Sequence, residues 1–231
     1  MNQNKRRLIV HEDAKSPISE AYRTLRTNIQ FSKTDGELKS IMFTSSGPGE
    51  GKSTTIANTA VALAQSGKNV ILMDCDLRKP VQHKIFGKKN RGITNILVED
   101  VSADNFLQET EIENLRILTS GPIPPNPSEL LGSRKMQELL DYLKTQSDYL
   151  IIDAPPVIAV TDACVLASKV DGITLVVNSG TIRPEMAQKA KDLLVKAKGH
   201  VLGVILNRVE IEEQDGYYYY YYGSDNKKMA K

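Results

Sequence analysis

One stretch restricts the fold more than any other. Residues 41–63 read IMFTSSGPGEGKSTTIANTAVAL: an apolar strand pattern, three glycines within five positions, and then an apolar helical pattern with no intervening linker. A strand that passes through so tight a loop into a helix must continue over one face of a sheet. The next strand then lies parallel to the first. The spacing predicts a strand over 40–44 and a helix over 52–65. The same alternation continues, with strands predicted over 69–73, 115–118, 149–152, 173–177 and 201–206. Helices are predicted over 133–144, 161–167 and 184–197. Short apolar strands such as NVILM, YLIID and VLGVIL, separated by helices, predict an α/β fold: three layers, with a mostly parallel central sheet covered by helices on both faces. Ahead of the core, PISEAYRTLRTNIQF at 17–31 has helical spacing, with Ser16 as cap and Pro17 in the first turn. The polar segment 77–114 predicts only short helices near 94–97 and 104–107.

The chain has 231 residues, enough for one large domain, here expected over 1–206. After Asn207 the apolar periodicity stops. Residues 207–231 are expected to form a flexible tail, and six of the nine tyrosines stand together there, Tyr217, Tyr218, Tyr219, Tyr220, Tyr221 and Tyr222, between Gly216 and Gly223. A net charge of +2 from 30 basic and 28 acidic residues gives no overall field for nucleic acid or an anionic membrane. Cys75 and Cys164 lie far apart in apolar surroundings, as reduced thiols of a cytoplasmic protein would. No uncharged apolar run approaches the ~18 residues of a membrane span. Membrane attachment would have to come from another protein.

The glycine turn also carries chemistry. In Gly47-Pro48-Gly49-Glu50-Gly51-Lys52-Ser53-Thr54 the glycines allow backbone N–H groups to point inward around phosphates, and the helix beginning near Lys52 adds its positive end. Lys52 would reach the β and γ phosphates, and the Ser53 hydroxyl would bind Mg²⁺. The strict motif has glycine where Ser46 stands. Two further strands end in carboxylates: VILM runs into Asp74-Cys75-Asp76-Leu77-Arg78-Lys79-Pro80, and YLII into Asp153-Ala154-Pro155-Pro156. Carboxyl ends of parallel strands line the ligand crevice, so Asp74, Asp76 and Asp153 are expected beside the phosphate loop.

GKST, VILMDCDLRKP and YLIIDAPP followed by a tyrosine-rich tail resemble the bacterial tyrosine kinases of capsular and exopolysaccharide synthesis, in which these segments are Walker A, A′ and B. GPIPPNPSELL at 121–131 matches as well, so the resemblance spans nearly the whole chain. It implies a P-loop NTPase fold, ATP and Mg²⁺ as cofactors, and a cytoplasmic kinase subunit activated at the inner face of the membrane by a separate membrane-bound polysaccharide co-polymerase. A cognate tyrosine phosphatase would reverse the modification. Partition and division-site ATPases share the deviant loop, but they usually carry a second lysine where Gly47 stands. The lysines at 189, 191, 196 and 198 spread over two helix faces, as on a solvated helix rather than a nucleic-acid-binding one.

A tyrosine hydroxyl with a pKa near 10 is ionised only about once in a thousand at neutral pH, so phosphoryl transfer to it needs a carboxylate that accepts the proton. Asp74 is assigned as this base, with Asp76 and Asp153 on the metal. Two residues apart at a strand end, either Asp74 or Asp76 could face the crevice. Arg78 or Lys79 would stabilise phosphate charge, or else form a solvated turn before Pro80. The last strand should run parallel to the others and release the tail on the nucleotide side. Tyr217 follows Asn207 by ten residues, a reach of at most ~36 Å. Glu20, Arg23 and Arg26 form E-x-x-R-x-x-R along one side of a helix, either an exposed ion pair or a subunit contact. In the resembled family the motif joins neighbours in a ring, which implies tail phosphorylation in trans. The competing function is a positioning ATPase whose tail is only an interaction segment.

Overall fold

The computed structural model describes residues 8–32, 37–99 and 101–210. The tyrosine cluster lies outside the described residues. Helix α1 (Ile9–Glu12) leads into α2 (Pro17–Phe31). Ser16 Oγ accepts a hydrogen bond from the Ser19 N–H at 3.1 Å, and Pro17 fills the first turn, where its missing N–H costs nothing.

Strand β1 (Ser40–Ser45) passes into α3 (Lys52–Ala64), β2 (Val70–Asp74), α4 (Gln82–Ile85), α5 (Ile93–Glu99), β3 (Gln108–Glu109) and β4 (Leu115–Leu118). Then follow α6 (Pro127–Gly132), α7 (Arg134–Thr145), β5 (Tyr149–Asp153), α8 (Asp162–Ala167), β6 (Gly172–Asn178), α9 (Pro184–Lys196) and β7 (Val201–Asn207). The sheet order is β3-β4-β2-β5-β1-β6-β7, parallel except where β3 pairs antiparallel with β4.

The strands separate two cores because successive side chains point to opposite faces. Ile41, Phe43, Val70 and Leu72 pack with α1, α2 and α3; Met42, Ile71 and Met73 pack into the layer that holds α5 to α9. Ile41, Met42 and Phe43 are fully buried, and each such side chain contributes about 1.5–3 kcal/mol relative to an exposed one. A strand covered on both faces reads as continuous apolar sequence, which is why β1, β2, β5 and β6 were predictable.

From β1 the chain crosses to β2 on one side of the sheet, while β6 and β7 lie on the other. The carboxyl end of β1 is therefore a topological switch point, where α/β sheets bind ligands. The strands also extend further than periodicity indicates. Asp74 and Asp153 are the last residues of β2 and β5, and Asn207 closes β7, one residue past the expected end of that strand. Helices α1, α4 and α6 and strand β3 are six residues or shorter, too short to show a period. The helix expected near 104–107 is a 3₁₀ turn at Ala103–Asn105. Among the described residues no helix is long and apolar enough to cross a membrane.

Candidate active site

The phosphate loop is braced from inside by Glu50, which is almost fully buried. Its Oε1 accepts hydrogen bonds from Ser46 Oγ at 2.6 Å and from the Gly47 N–H, and its Oε2 accepts from the Asn178 N–H at 3.2 Å. Ser46, the departure from the strict motif, thus braces the loop, because its hydroxyl ties the backbone there to the loop's own carboxylate. The Glu50 side chain faces inward and not toward a ligand. Gly49 and Gly51 have φ of +80° and +86°, a region L side chains rarely enter. At Gly51 a Cβ would also collide with Asn207 Nδ2, and that same nitrogen donates to the Glu50 carbonyl at 2.8 Å. The end of β7 is therefore fastened to the phosphate loop. Helix α3 starts at Lys52 with no side-chain cap, so its first N–H groups remain available to an anion. Gly47, Ser53 and Thr54 are half-buried along this rim.

Beneath the loop lies a buried ionic cluster. Lys52 and Asp153 form a salt bridge with almost no exposure, and Lys52 Nζ is also 3.4 Å from Ser53 Oγ. Asp74 and Asp153 are register partners on adjacent strands. Burial, reinforced by the Asp153 charge, pushes the Asp74 carboxyl up to about 8. Asp74 Oδ2 accepts from the Val81 and Gln82 N–H groups at 3.0 and 2.9 Å, and Oδ1 from the Asp76 N–H at 3.3 Å. Asp76 Oδ1 accepts from the Lys79 N–H at 3.0 Å, which closes the turn after the strand. Burial and the flanking carboxylates raise the Cys75 thiol well above its ordinary range, so it is an inert core residue.

Three expected site residues, Asp74, Asp76 and Asp153, thus converge with Lys52 and Ser53. Arg78 is turned elsewhere. Its Nε and Nη2 each donate to Asp162 at 2.9 Å, and Ser128 Oγ donates to the same carboxylate at 2.5 Å. In this structure Arg78, 40% exposed, pins the loop after β2 to α8 and α6. Two participants carried little sequence signal. Gln82, in a segment that reads as polar loop, donates Nε2 to Asp153 Oδ2 at 2.7 Å and to the Ser53 carbonyl at 3.1 Å. Asn207 gave only the hint of a polar residue at a strand end, the pattern shared by Asp74 and Asp153.

The donor set suits Mg²⁺ with a nucleotide. Magnesium takes one or two carboxylates and completes its shell with phosphate oxygens and water. Among the described residues no group of three or more His, Cys, Asp or Glu could hold a metal alone. Ser53, Asp76 and Asp153 would hold the ion, and the N-terminus of α3 with Lys52 would hold the phosphates.

On α2, Arg23 Nη1 pairs with Glu20 Oε2 at 2.5 Å, and Arg23 also donates to the Ala14 carbonyl. The Nε of Arg26 is buried without a hydrogen-bond partner among the described residues. Ile18 and Phe31 of the same helix are 58% and 81% exposed.

The ParA family model, described as NUBPL iron-transfer P-loop NTPase, matches residues 37–231. Tyrosine-protein kinase YwqD of Bacillus subtilis is 46% identical over 213 residues, covering 92% of this chain and 90% of YwqD. Tyrosine-protein kinase CpsD of Streptococcus agalactiae is 38% identical over 192 residues, covering 82% of this chain and 83% of CpsD. The crystal structure of the chimerical protein CapA2B2 superposes with a TM-score of 0.84 at 45% identity, covering 88% of this chain and 90% of that one. Relatives this similar along nearly the whole length, on a ParA-type P-loop NTPase fold, show that the chain belongs to the bacterial tyrosine-protein kinases.

Proposed function

We propose that the chain phosphorylates its own C-terminal tyrosines, Tyr217 to Tyr222, and through that modification regulates capsular or exopolysaccharide synthesis. The observation that carries this reading is the attachment of Asn207 to the Glu50 carbonyl at 2.8 Å. The chain leaves its last strand beside the phosphate loop, and ten residues separate Asn207 from Tyr217, a reach of at most ~36 Å. A substrate tethered at this point is within reach of its own site and, in an assembly, of a neighbour's, in either case at high effective concentration.

ATP with Mg²⁺, when bound, supplies the transferable phosphoryl group and the charge that offsets it. Lys52 and the first N–H groups of α3 hold phosphate oxygens. Ser53, Asp76 and Asp153 hold the metal. Asp74, in its ionised form, accepts the tyrosine proton; with its pKa raised to about 8 that form is the minority at neutral pH but a stronger base than an ordinary carboxylate, so the rate should rise with pH toward that value.

Transfer runs between neighbours in a ring. Helix α2 supports this, because Ile18 and Phe31 are exposed and Arg26 Nε is buried without an acceptor among the described residues. A second copy of the chain would cover Ile18 and Phe31, and the buried Arg26 Nε could gain an acceptor only if α2 shifts on assembly. A membrane-bound activator holds the cytoplasmic chain at the inner membrane face, and a tyrosine phosphatase resets it. Each phosphate adds about −1.5 to −2 charges next to Glu210, Glu212, Glu213 and Asp215, so a heavily modified tail is expelled from a carboxylate-lined site and the ring loosens.

The test is incubation with ATP and Mg²⁺, with an activator fragment supplied, followed by peptide mass spectrometry. Phosphate on Tyr217 to Tyr222 in the wild type and none in Lys52→Met is expected. Free phosphate release with an unmodified tail in the presence of activator would favour a positioning ATPase instead.

A further inference from the structure

Gln82 is fully buried and touches all three segments of the site. Its backbone N–H donates to Asp74 at the end of β2, and its side-chain Nε2 donates both to Asp153 at the end of β5 and to the Ser53 carbonyl at the start of α3. Its Oε1 is buried and has no partner among the described residues. A buried acceptor left unpaired costs on the order of 1–3 kcal/mol. The reverse amide orientation would not remove that cost, because Oε1 would then face the Asp153 carboxylate and the Ser53 carbonyl, and two acceptors would meet with no proton between them.

Lys52 has two demands on it. Its ammonium pairs with Asp153 Oδ1, while the phosphate loop places the same group where β and γ phosphates would be met. A lysine drawn to phosphates surrenders Asp153 Oδ1, whereas Oδ2 remains bonded to Gln82. We propose that Gln82 is the positioning residue of the metal site: Nε2 would hold Asp153 through Oδ2 and leave Oδ1 free for the ion when Lys52 turns to the phosphates, and the unpaired Oε1 would gain a partner from water admitted by that movement. Ligands of a metal are commonly oriented by such a second set of hydrogen bonds, whose loss costs about 10–100-fold in metal affinity. The inference rests on the assignment of Asp153 to the metal made above.

The test is nucleotide binding, not turnover. Fluorescent ADP is titrated into the wild type and into Gln82→Met, which keeps the length and bulk of the side chain and removes both polar atoms, with and without Mg²⁺; thermal unfolding is followed in parallel. Expected is ADP binding within about 2-fold of wild type in the absence of Mg²⁺. The Mg²⁺ concentration for half-maximal enhancement should rise at least about 10-fold, with the melting temperature unchanged or higher. The same Mg²⁺ dependence in wild type and Gln82→Met overturns the inference and leaves Asp153 as a metal ligand. Equal loss of binding with and without Mg²⁺ together with a lower melting temperature assigns Gln82 to α4 packing alone and also overturns it. A wild type whose ADP binding does not respond to Mg²⁺ removes the metal assignment, and this inference with it.

Discussion

At the carboxyl ends of β2 and β5, Asp74, Asp76 and Asp153 each accept hydrogen bonds from their own chain, and Lys52 neutralises part of their charge. On α2 the arrangement is the reverse. Arg23 is satisfied locally by Glu20, Arg26 keeps a buried Nε without a partner among the described residues, and Phe31 stands 81% exposed. The strand-end cluster has its geometry fixed within one chain, so its chemistry needs only nucleotide and acceptor. The helix has groups without partners among the described residues, the kind of surface the proposed contact between copies would use. Nucleotide binding and assembly should therefore be separable, whereas transfer between neighbours would need both: substitutions on α2 should leave nucleotide binding intact, and substitutions in the cluster should leave assembly intact.

The largest effect expected is all-or-none. If α2 brings neighbours together, a Lys52→Met chain with its tail intact should become phosphorylated when mixed with an active chain ending at Glu210, and neither chain should show tail phosphotyrosine alone. Anti-phosphotyrosine detection of the mixture reads this directly. A Lys52→Met tail that stays unmodified would merge the two regions again, because each active site would then serve only its own tail.

Within the cluster, Asp74→Asn should lower the phosphorylation rate by about 10²–10⁴-fold, the range for loss of a general base. It should also stabilise the protein. Because the folded pKa of Asp74 is raised to about 8 and an unfolded aspartate titrates near 4, the native state holds the extra proton between these values. Wild-type stability then falls as pH rises from about 4 to about 8 and levels off above. The melting-temperature advantage of Asp74→Asn should widen across that window. An advantage independent of pH would show that Asp74 ionises normally.

The parts of this site that repeat a pattern were legible in the sequence. Lys52 follows a glycine loop, and Asp74 and Asp153 close apolar strands, so a periodic signal and its interruption locate them. Gln82 and Arg78 are different. Both follow Asp74 in the same polar stretch, and what distinguishes them is contact with residues far along the chain: Asp153 for one, Asp162 for the other. No local period encodes a contact between β2 and β5. Glu50 shows the opposite limit, since its position in the loop was evident but its inward direction depends on Asn178 of β6. The short elements α1, α4, α6 and β3 were illegible because none spans two helical turns or a strand long enough to alternate; α8, equally short, was read only from its apolar run ACVLA between two strands.

A smaller effect is expected where the cluster meets the rest of the fold. Arg78→Ala removes both bonds to Asp162, yet Arg78 is 40% exposed, so the loss should be about 1 kcal/mol, near the top of the range for an exposed ion pair. Burial alone would raise the Asp162 carboxyl, but bonds from Arg78 and Ser128 outweigh it and hold the group below the usual carboxylate range. That contribution is present above about pH 4 and lost as pH falls through the depressed value. Urea unfolding should therefore separate wild type from Arg78→Ala at pH 7 and bring them closer at acid pH, as Asp162 protonates. Equal separation at neutral and acid pH would mean that Arg78 acts through packing of its stem, not through its charge.

The smallest effect on stability should accompany the largest effect on mass. Arg23 and Glu20 form an i,i+3 pair about one third exposed on each side, and such pairs contribute about 0.2–0.5 kcal/mol. Removing Arg26 also removes a buried nitrogen that has no hydrogen-bond partner among the described residues, which offsets part of what its stem contributes by packing. Arg23→Ala with Arg26→Ala should accordingly change unfolding free energy by less than about 1 kcal/mol. Light scattering should nevertheless report monomers where the wild type forms larger species, and nucleotide binding should persist because no residue of the phosphate loop is touched. Glu20→Ala sharpens the distinction. It frees Arg23 without removing either guanidinium, so it should leave stability within about 0.5 kcal/mol and weaken assembly only if Glu20 itself meets the neighbour. A double variant that unfolds readily but stays assembled would mean that the arginines of α2 serve their own chain, and α2 would then join the strand ends as a self-contained region.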